Sequence, residues 1–247
     1  MADEYSIYLG QKGYTIYKDA LTFKEQEYIR NTLNVRPYIP KSPVQPSPFP
    51  VYRESAKKLY IPRYFGYENY GEPDEMRIES GIDINIQFKG KLRPYQDDVV
   101  KKYVQVATEN SMGGGGLLDI PCGYGKTIMA LNIIYQMKKK TLVIVHKSFL
   151  MNQWIERINE FLPGAKIGKI QGQTIDIDDK DIVIGMLQSL SMKEYPRDLF
   201  GEFGLTIVDE VHHISSEVFS RSLCNIVTKY TLGLSATMNR KDGLTHV

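Results

Sequence analysis

The segment Pro121–Thr127, which reads PCGYGKT, constrains the fold of this chain more than any other feature, because it separates an apolar predicted strand from a predicted helix. A turn of this kind can point backbone N–H groups and the positive end of a helix dipole at a phosphate chain. Lys126 would then bind the β- and γ-phosphates, and the Thr127 hydroxyl would bind Mg²⁺. Ile120 takes the place of the first glycine of the usual Gly-x-x-x-x-Gly-Lys-Ser/Thr pattern. A glycine-rich turn that merely ends in Lys-Thr is therefore the alternative.

A second apolar predicted strand, Leu205–Val208, ends in two adjacent carboxylates, Asp209 and Glu210. A strand end beside a phosphate loop can place Asp209 against Mg²⁺ and leave Glu210 to orient and deprotonate an attacking water. The alternative is an acidic turn that caps a strand. Two independent features at strand ends, in this order along the chain, favour a Mg²⁺-nucleotide site.

The sequence after about residue 88 alternates apolar runs with segments of helical period, which is typical of an α/β fold with a parallel sheet covered by helices on both faces. The predicted strands are Gly116–Ile120, Thr141–Val145, Ala165–Ile170, Asp181–Met186, Leu205–Val208 and Tyr230–Leu234. The predicted helices are Tyr95–Glu109, Lys126–Lys138, Lys147–Phe161 and Ser216–Val227. We interpret Gly113–Gly116 as a flexible connection without chemistry of its own.

The first part of the chain differs in composition, being rich in tyrosine and proline. We therefore predict two domains, 1–88 and 89–247, of which the first is a small α+β accessory domain. One helix is predicted here, over Thr22–Leu33, with its first residue as N-cap and Glu25 as the capping-box partner. The closely spaced prolines of Arg36–Pro50 predict an extended linker or arm.

Charge is unevenly distributed in this accessory domain, whereas the net charge of the whole chain is only +2 and decides nothing about polyanionic partners. The stretch Arg53–Tyr67 interleaves basic and aromatic residues, and an acidic stretch, Glu68–Asp83, follows it. Bases beside aromatic rings suit phosphate neutralisation combined with base stacking. We therefore predict that this domain can bind nucleic acid; the alternative is a subdomain whose tyrosines only pack on the following domain.

The two cysteines, Cys122 and Cys224, form no metal-ligand or disulfide pattern. The N-terminus lacks the features of a signal peptide, and no apolar run is long enough to predict a membrane helix. We expect an intracellular protein.

Shorter motifs add candidate site residues. Gln96 ends the pentapeptide LRPYQ, and an amide can pair with adenine at N6 and N7. The hydroxyls of Ser235–Thr237 could relay contacts from the metal site, or simply cap a strand. Adjacent His212 and His213 do not converge as metal ligands, so we interpret the first as a polar coupler and the second as structural. Cys122 has no nearby base and is not predicted to be a nucleophile.

Four motifs together, LRPYQ, PCGYGKT, DEVHH and GLSATMNRKDG, resemble those of superfamily 2 helicases. The chain is most similar to the XPB-like branch and its poxvirus-type viral relatives in transcription, over roughly residues 89–247. If the protein is viral, the expected intracellular location is the host cytoplasm or the virion. The resemblance implies a RecA-like P-loop lobe that binds ATP and Mg²⁺. The implied catalytic residues are Lys126, Asp209 and Glu210, with Thr127 and Asp209 as Mg²⁺ ligands. The implied nucleotide-binding residues are Arg93, Gln96, Pro121, Cys122, Gly123, Tyr124, Gly125, Lys126 and Thr127, and the implied coupling residues are His212, Ser235 and Thr237.

The resemblance also implies contacts with a nucleic-acid backbone, which fall on Lys147, Ser148, Gly172, Gln188 and Ser189. The alternative for these positions is ordinary surface. Trp154, at helical spacing, is predicted to lie in the core.

Motors of this class use two RecA-like lobes, and the second supplies an arginine across the ATP cleft. Val247 follows soon after Thr237, so we expect that lobe in the full-length protein and weak nucleotide binding with little or no hydrolysis by this chain alone. The implied activity is that of a DNA-dependent helicase or translocase in transcription or repair, acting on duplex or single-stranded DNA with the transcription machinery as a partner. An RNA helicase is less favoured, because DEVH replaces the usual DEAD. A third interpretation is a non-hydrolysing nucleic-acid-binding scaffold or the motor subunit of a nuclease complex.

Overall fold

The computed structural model describes residues 6–36, 41, 43–193, 195–196, 198–211 and 226–236. These residues form two compact units. The first runs to Ile78 and includes residues 226–227, and the second comprises the remainder.

This division lies earlier than the change in composition near residue 88, because residues 79–88 run along the second unit. Ile84 and Ile86 are buried in the core of that unit. The backbone N–H of Ile84 donates to the carbonyl oxygen of Lys138 at 3.0 Å. The acidic stretch predicted for the accessory domain is therefore shared between the two units.

The first unit is built on a five-stranded sheet with two helices. Its strands are β1 (Ile7–Gly10), β2 (Gly13–Tyr17), β3 (Asn34–Val35), β4 (Phe49–Pro50), β5 (Arg53–Glu54), β6 (Lys58–Ile61) and β7 (Glu75–Met76). Its helices are α1 (Phe23–Thr32) and α2 (Arg63–Tyr70), with a short 3-10 turn at Lys18–Ala20. The sheet has the order β5-β6-β2-β1-β7, antiparallel except for the parallel pair β1–β7, and β3 pairs separately with β4.

The predicted first helix and its cap are confirmed. Thr22 is the N-cap of α1, its hydroxyl accepts from the Glu25 N–H at 3.3 Å, and its own N–H donates to the Glu25 carboxylate at 2.7 Å. The proline-rich stretch Arg36–Pro50 was predicted to be extended, and its described residues include the short strand β4.

The core of the first unit lies on one face of its sheet, because alternate strand residues point to the same side. Leu9, Tyr14 and Leu59 are completely buried there. Helix α2 comes very close to β2: a Cβ added at Gly66 would lie 2.2 Å from Cγ of Tyr14. Only glycine allows this approach, so the glycine at position 66 is explained by the packing of α2 on β2.

The second unit is a sheet of seven strands flanked by helices. Its strands are β8 (Gly115–Asp119), β9 (Thr141–Val145), β10 (Ile167–Gln171), β11 (Thr174–Asp176), β12 (Ile182–Met186), β13 (Leu205–Asp209) and β14 (Tyr230–Ser235). Its helices are α3 (Pro94–Glu109), α4 (Lys126–Met137), α5 (Ser148–Phe161) and α6 (Leu187–Met192). The strand order is β11-β10-β12-β9-β13-β14-β8, and every pair is parallel except β10–β11.

This architecture confirms the predicted α/β class. The predicted strands are all present within two residues of their predicted ends, and every residue of β9 and β12 is buried, as expected for a sheet covered on both faces. Strand β11 and helix α6 were not predicted, since both are short. The predicted helix Ser216–Val227 lies almost entirely outside the described residues. No helix in the described ranges has the length and apolar character needed to cross a membrane.

The interpretation of Gly113–Gly116 as a flexible connection is wrong for its last two residues, which begin β8 and pair with β14. Helix α3 packs against this strand. A Cβ at Gly114 would lie 3.1 Å from the carbonyl oxygen of Ala107. The run of small residues therefore permits close packing of helix on strand.

Candidate nucleotide site

Three adjacent parallel strands bring the candidate residues to one edge of the second sheet. β13 ends at Asp209, β14 ends at Ser235, and β8 leads into the PCGYGKT loop. Asp209 is in register with Leu234, and Ser235 with Asp119. The carboxyl ends of parallel strands lie at one edge of the sheet. The loop and the carboxylates therefore lie at that same edge.

The loop closes onto the N-terminus of α4. Gly125 is the N-cap with φ +87°, in the left-handed region that favours glycine, and Lys126 is the first helical residue. The Lys126 ammonium donates to the carbonyl oxygen of Ile120 at 2.9 Å, which holds the side chain across the loop. Thr127 follows on the first turn and is half-buried. The Lys126 ammonium and the N-terminus of α4 therefore lie together at the loop where a phosphate chain would bind.

Two side chains from α3 hold this loop from outside. The Tyr95 hydroxyl donates to the Tyr124 carbonyl oxygen at 2.6 Å, and the Gln96 amide donates to the same oxygen at 3.0 Å. The Gln96 carbonyl oxygen accepts from the Arg93 N–H at 2.9 Å. A Cβ at Gly125 would lie 2.5 Å from the Gln96 amide nitrogen, so the glycine also makes room for the glutamine.

Gln96 is consequently buried, with 5% of its surface exposed, and both ends of its amide already have partners. An amide has two N–H donors and two acceptor lone pairs on its oxygen. One donor of Gln96 makes only a longer bond of 3.3 Å to the Tyr95 hydroxyl. If the Gln96 amide paired with an adenine, it would give up the weaker bond to the Tyr95 hydroxyl and keep the bond to the Tyr124 carbonyl oxygen.

Asp209 sits at the end of β13 in a largely apolar setting. The indole N–H of Trp154, a residue only 2% exposed, donates to Asp209 Oδ2 at 2.9 Å. Burial raises the pKa of Asp209 and the neighbouring Glu210 charge adds to this, while the bond from Trp154 and the charge of Lys126 lower it. Asp209 therefore lies within electrostatic reach of both Lys126 and Glu210.

Glu210 adopts a backbone conformation that is uncommon for a residue with a side chain, with φ +54°. Such strain is found preferentially at functional sites, where it aims a side chain that regular strand geometry would direct elsewhere. Glu210 directly follows Asp209, the last residue of β13.

The remaining predicted residues of this site are distributed as follows. Arg93, Pro121, Cys122, Gly123 and Tyr124 are exposed along the rim of the loop. Ser235 is buried, and its carbonyl oxygen accepts from the Ile120 N–H at 3.0 Å, which ties β14 to the start of the loop. His212 and Thr237 lie outside the described residues.

The predicted nucleic-acid contacts follow the carboxyl ends of a second group of adjacent strands, β10, β12 and β9. Lys147, Ser148 and Gln188 are exposed there. The Gly172 N–H donates to the Ser189 hydroxyl at 2.8 Å, which joins the β10–β11 turn to α6. These five positions thus lie along the same edge of the sheet as the nucleotide loop.

Two residues of the site could not be assigned from the sequence. Tyr95 was adjacent to a recognised glutamine but had no motif of its own. Trp154 was predicted to be core, and it is buried, but its N–H also meets Asp209. Buried tryptophans generally find a partner for that N–H, which is a signal for a hidden polar contact but does not name the acceptor.

Sequence comparison finds relatives among helicases. A protein of Acanthamoeba polyphaga mimivirus, named as a candidate ATP-dependent RNA helicase, is 35% identical over 252 residues, covering 99% of this chain and 47% of that protein. The DNA 3'-5' translocase XPB2 of Sulfurisphaera tokodaii is 32% identical over 191 residues, covering 73% of this chain and 40% of that protein. The chain thus spans less than half the length of these relatives.

Structural comparison supports the fold. The SWI2/SNF2 ATPase core of Sulfolobus solfataricus, solved in complex with dsDNA, matches with a TM-score of 0.53 and 24% identity, over 68% of this chain and 36% of that one. At this identity the likeness concerns the fold alone, and it confirms the predicted RecA-like arrangement.

A family model described as "Type III restriction enzyme, res subunit" matches residues 89–240. The match includes the phosphate loop and both carboxylates, and it covers more than half of the chain. The chain therefore belongs to this family of helicase-type ATPases.

Proposed function

We propose that this chain forms the Mg²⁺-ATP-binding lobe of a DNA-dependent motor, a helicase or duplex translocase. The observation that supports the proposal is that the loop carrying Lys126 follows the carboxyl end of β8, while Asp209 and Glu210 stand at the carboxyl end of β13, on the same edge of a parallel sheet. An amine that binds phosphate, a carboxylate that can hold Mg²⁺ and a second carboxylate that can orient water are the groups used in phosphoryl transfer to water.

Each residue of the site has a distinct role in this proposal. Lys126 and the N–H groups of the loop bind the phosphates, and the Tyr95–Gln96 contacts keep the loop in shape. Gln96 reads the adenine through its amide. Glu210 orients the attacking water and accepts its proton. The rate enhancement comes from positioning and charge rather than covalent chemistry.

The residues present also fit a magnesium ion. Mg²⁺ bound to a nucleotide takes one or two protein oxygens and completes its shell with phosphate oxygens and waters. Thr127, on the first turn of α4, would supply a hydroxyl to the ion, and Asp209, at the end of β13, would supply a carboxylate. When bound, the ion would neutralise charge on the β- and γ-phosphates.

The track is proposed to be DNA, in duplex or single-stranded form, bound along Lys147, Ser148, Gly172, Gln188 and Ser189. Support comes from the archaeal relative named as a DNA translocase. An RNA track is the second candidate, because the mimivirus relative is named as an RNA helicase. We further propose that a second lobe completes the ATP cleft in the full-length protein and that transcription or repair is the setting.

The test is ATP hydrolysis by the full-length protein with duplex DNA, single-stranded DNA or RNA. We expect DNA to stimulate turnover, and Lys126→Ala and Glu210→Gln to abolish it. Lys101→Ala, which removes an exposed lysine of α3, is the matched control and should behave as the unmodified protein. If RNA stimulated ATP hydrolysis most, the protein would be an RNA motor instead. Hydrolysis that neither site variant reduces would contradict it.

A further inference from the structure

The sheet of the first unit has a second face, opposite its core, that carries three tyrosines and four cations. We call this the tyrosine face. Its residues are Tyr8, Tyr17, Tyr60, Lys12, Arg53, Lys58 and Arg77. Lys12 is exposed and the other six are half-buried.

Strand register places these side chains together. Thr15 of β2 is paired with Tyr8 on one side and with Tyr60 on the other, and Arg53 lies opposite Tyr60. One row of residues therefore crosses four strands on the same side of the sheet. Tyr17, two residues after Thr15, points to that side as well.

The residues that alternate with them point the other way. Leu9, Ile16 and Leu59 belong to the buried core of the unit. Because strand side chains alternate between faces, the tyrosines lie on the side away from that core. They are therefore not needed to fill it.

Each ring of the tyrosine face has a cation beside it. The Arg77 guanidinium lies 3.9 Å from the centroid of the Tyr8 ring, and the Lys58 ammonium lies 4.3 Å from that of Tyr17. Lys12 lies 4.9 Å from the Tyr60 ring. The Tyr8 and Tyr17 rings are themselves neighbours, with centroids 6.5 Å apart.

This combination of rings and cations matches one class of ligand. Aromatic faces stack on nucleobases, and lysine and arginine neutralise the phosphates between them. Among the described residues, Glu75 is the one acid in the row with Tyr8, and its carboxylate is paired with Arg77 at 2.5 Å. A duplex keeps its base faces stacked inside the helix, whereas a single strand can offer them to the rings.

We propose that the tyrosine face binds single-stranded nucleic acid, with bases stacked on Tyr17 and Tyr60 and phosphates at the flanking cations. Exposed cation–π contacts are weaker than base stacking, and the lysines can turn to a phosphate without leaving the face. The proposal concerns the first unit and is independent of the nucleotide site. DNA and RNA share the required chemistry, so both are included in the test.

The structure also revises the set of residues expected from the sequence. Of the stretch Arg53–Tyr67, only Arg53, Lys58 and Tyr60 belong to the tyrosine face. Arg63 is 8% exposed and donates to the Tyr67 hydroxyl at 3.3 Å, so it serves packing within α2. The binding surface is completed instead by strands β1, β2 and β7.

The first experiment measures binding of the whole chain to labelled oligothymidylate, oligouridylate and duplex DNA by fluorescence anisotropy. We expect Tyr17→Ala and Tyr60→Ala each to weaken single-strand binding about 10-fold, because a base loses its stacking partner. Tyr17→Phe and Tyr60→Phe keep the ring and should bind as the unmodified chain does. Tyr28→Ala removes an exposed ring from α1 and is the matched control.

Charge is tested separately through salt dependence. Each phosphate contact that is lost lowers the slope of log affinity against log salt by about 0.7 for a single strand. Lys12→Gln with Arg53→Gln should therefore reduce the slope by about 1.4 in total. An unchanged slope together with unchanged affinity of the alanine variants would overturn the proposal, as would a preference for duplex DNA that depends on these tyrosines.

A second experiment locates the strand directly. An oligonucleotide that carries iododeoxyuridine is crosslinked by light to the folded chain, and the adducts are mapped by mass spectrometry. Adducts at Tyr8, Tyr17 or Tyr60 would support the proposal. Adducts confined to the second unit would overturn it and leave the proposed motor function intact.

Discussion

The indole N–H of Trp154 donates a hydrogen bond of 2.9 Å to Oδ2 of Asp209. This bond links α5, which begins at the proposed nucleic-acid contact Ser148, to the carboxylate proposed to hold Mg²⁺. Trp154 is the single tryptophan of the chain, so its fluorescence reports on this one contact. We therefore expect Trp154 to position the Asp209 carboxylate.

Trp154→Phe removes the N–H donor and keeps an aromatic ring in the core. A hydrogen bond to a charged group contributes about 1.5–3 kcal/mol, so we expect Mg²⁺-ADP binding to weaken by at least about 10-fold. Binding of ADP without Mg²⁺ should change little. Isothermal titration calorimetry with and without the metal measures both.

The control for that variant is Tyr103→Phe, which removes a hydroxyl that donates to the Thr231 carbonyl oxygen at 2.8 Å, away from the carboxylates. Tyr103→Phe should lower the stability of the chain, and it should not weaken Mg²⁺-ADP binding more than it weakens ADP binding without the metal. If Trp154→Phe lost the same ADP affinity with and without Mg²⁺, the tryptophan would serve only packing.

Asp209→Asn should make the chain more stable at neutral pH, although it disables the metal site. The raised pKa of Asp209 means that the folded state holds this proton more tightly than the unfolded state does. Stability is therefore lost as pH rises from the ordinary range of an aspartate through the raised pKa. The asparagine variant does not have this loss.

Thermal melts over a range of pH test the effect of Asp209→Asn. The difference from the unmodified chain should be largest at neutral pH and vanish in acid, and Asp98→Asn, at an exposed position of α3, should show no such trend. A variant that melts lower at neutral pH would contradict the assignment of burial as the main cause.

Gly125→Ala should damage nucleotide binding far more than Gly123→Ala does. Both glycines have positive φ, +87° and +84°, so both variants incur similar backbone strain of about 1–2 kcal/mol. Only at Gly125 would the new Cβ meet a neighbour, the Gln96 amide at 2.5 Å, whereas nothing lies within 4 Å at Gly123. The new Cβ would also lie 3.1 Å from Cγ2 of Ile128, so binding of a fluorescent ADP analogue, compared between the two variants, measures the effect of both contacts.

Glu54→Gln should make the first unit less sensitive to acid. Hydrogen bonds from Arg30 and Lys18 lower the pKa of Glu54 from 4.5 to about 2. The folded state therefore gains stability from this carboxylate above pH 4.5 and loses it as the pH falls towards 2. The group is partly exposed, so solvent screening limits the contribution to about 1 kcal/mol or less.

Acid titration followed by far-UV circular dichroism measures the change in Glu54→Gln. The unmodified chain should lose more stability than the variant between neutral pH and acid, and the two should converge at the lowest pH. Glu27→Gln, at an exposed position on α1, is the control. Parallel curves for Glu54→Gln and the unmodified chain would show that the ion pair contributes nothing measurable.

The sequence predicted the second unit well, because its signals are local. Strands such as Thr141–Val145 are continuous apolar runs. Asp209 and Ser235 end their strands, and the loop that carries Lys126 follows β8, so all three belong to the shared edge of a parallel sheet. The first unit was predicted poorly. Its strands are short and rich in tyrosine and lysine, so their alternation is hard to distinguish from that of an exposed loop.

Contacts between distant residues were not predictable from local patterns. Trp154 and Asp209 are 55 positions apart, and helical period gives the burial of the tryptophan but not the acceptor of its N–H. Tyr8 and Tyr60 come onto one face only through the register of β1, β2 and β6. Such relationships depend on strand order, which no single segment encodes.

Strand β14 has a mechanical consequence, because it lies between β13, which ends in Asp209, and β8, which leads into the phosphate loop. Neighbouring strands are about 4.8 Å apart, so two such steps set a gap of about 10 Å between the backbones that carry the carboxylate and the loop. β14 is thus a spacer of fixed thickness, and its end at Ser235 is bonded to Ile120. The width of the opening for a phosphate chain is therefore set by the spacing of the hydrogen-bonded strands and does not depend on which side chains line it.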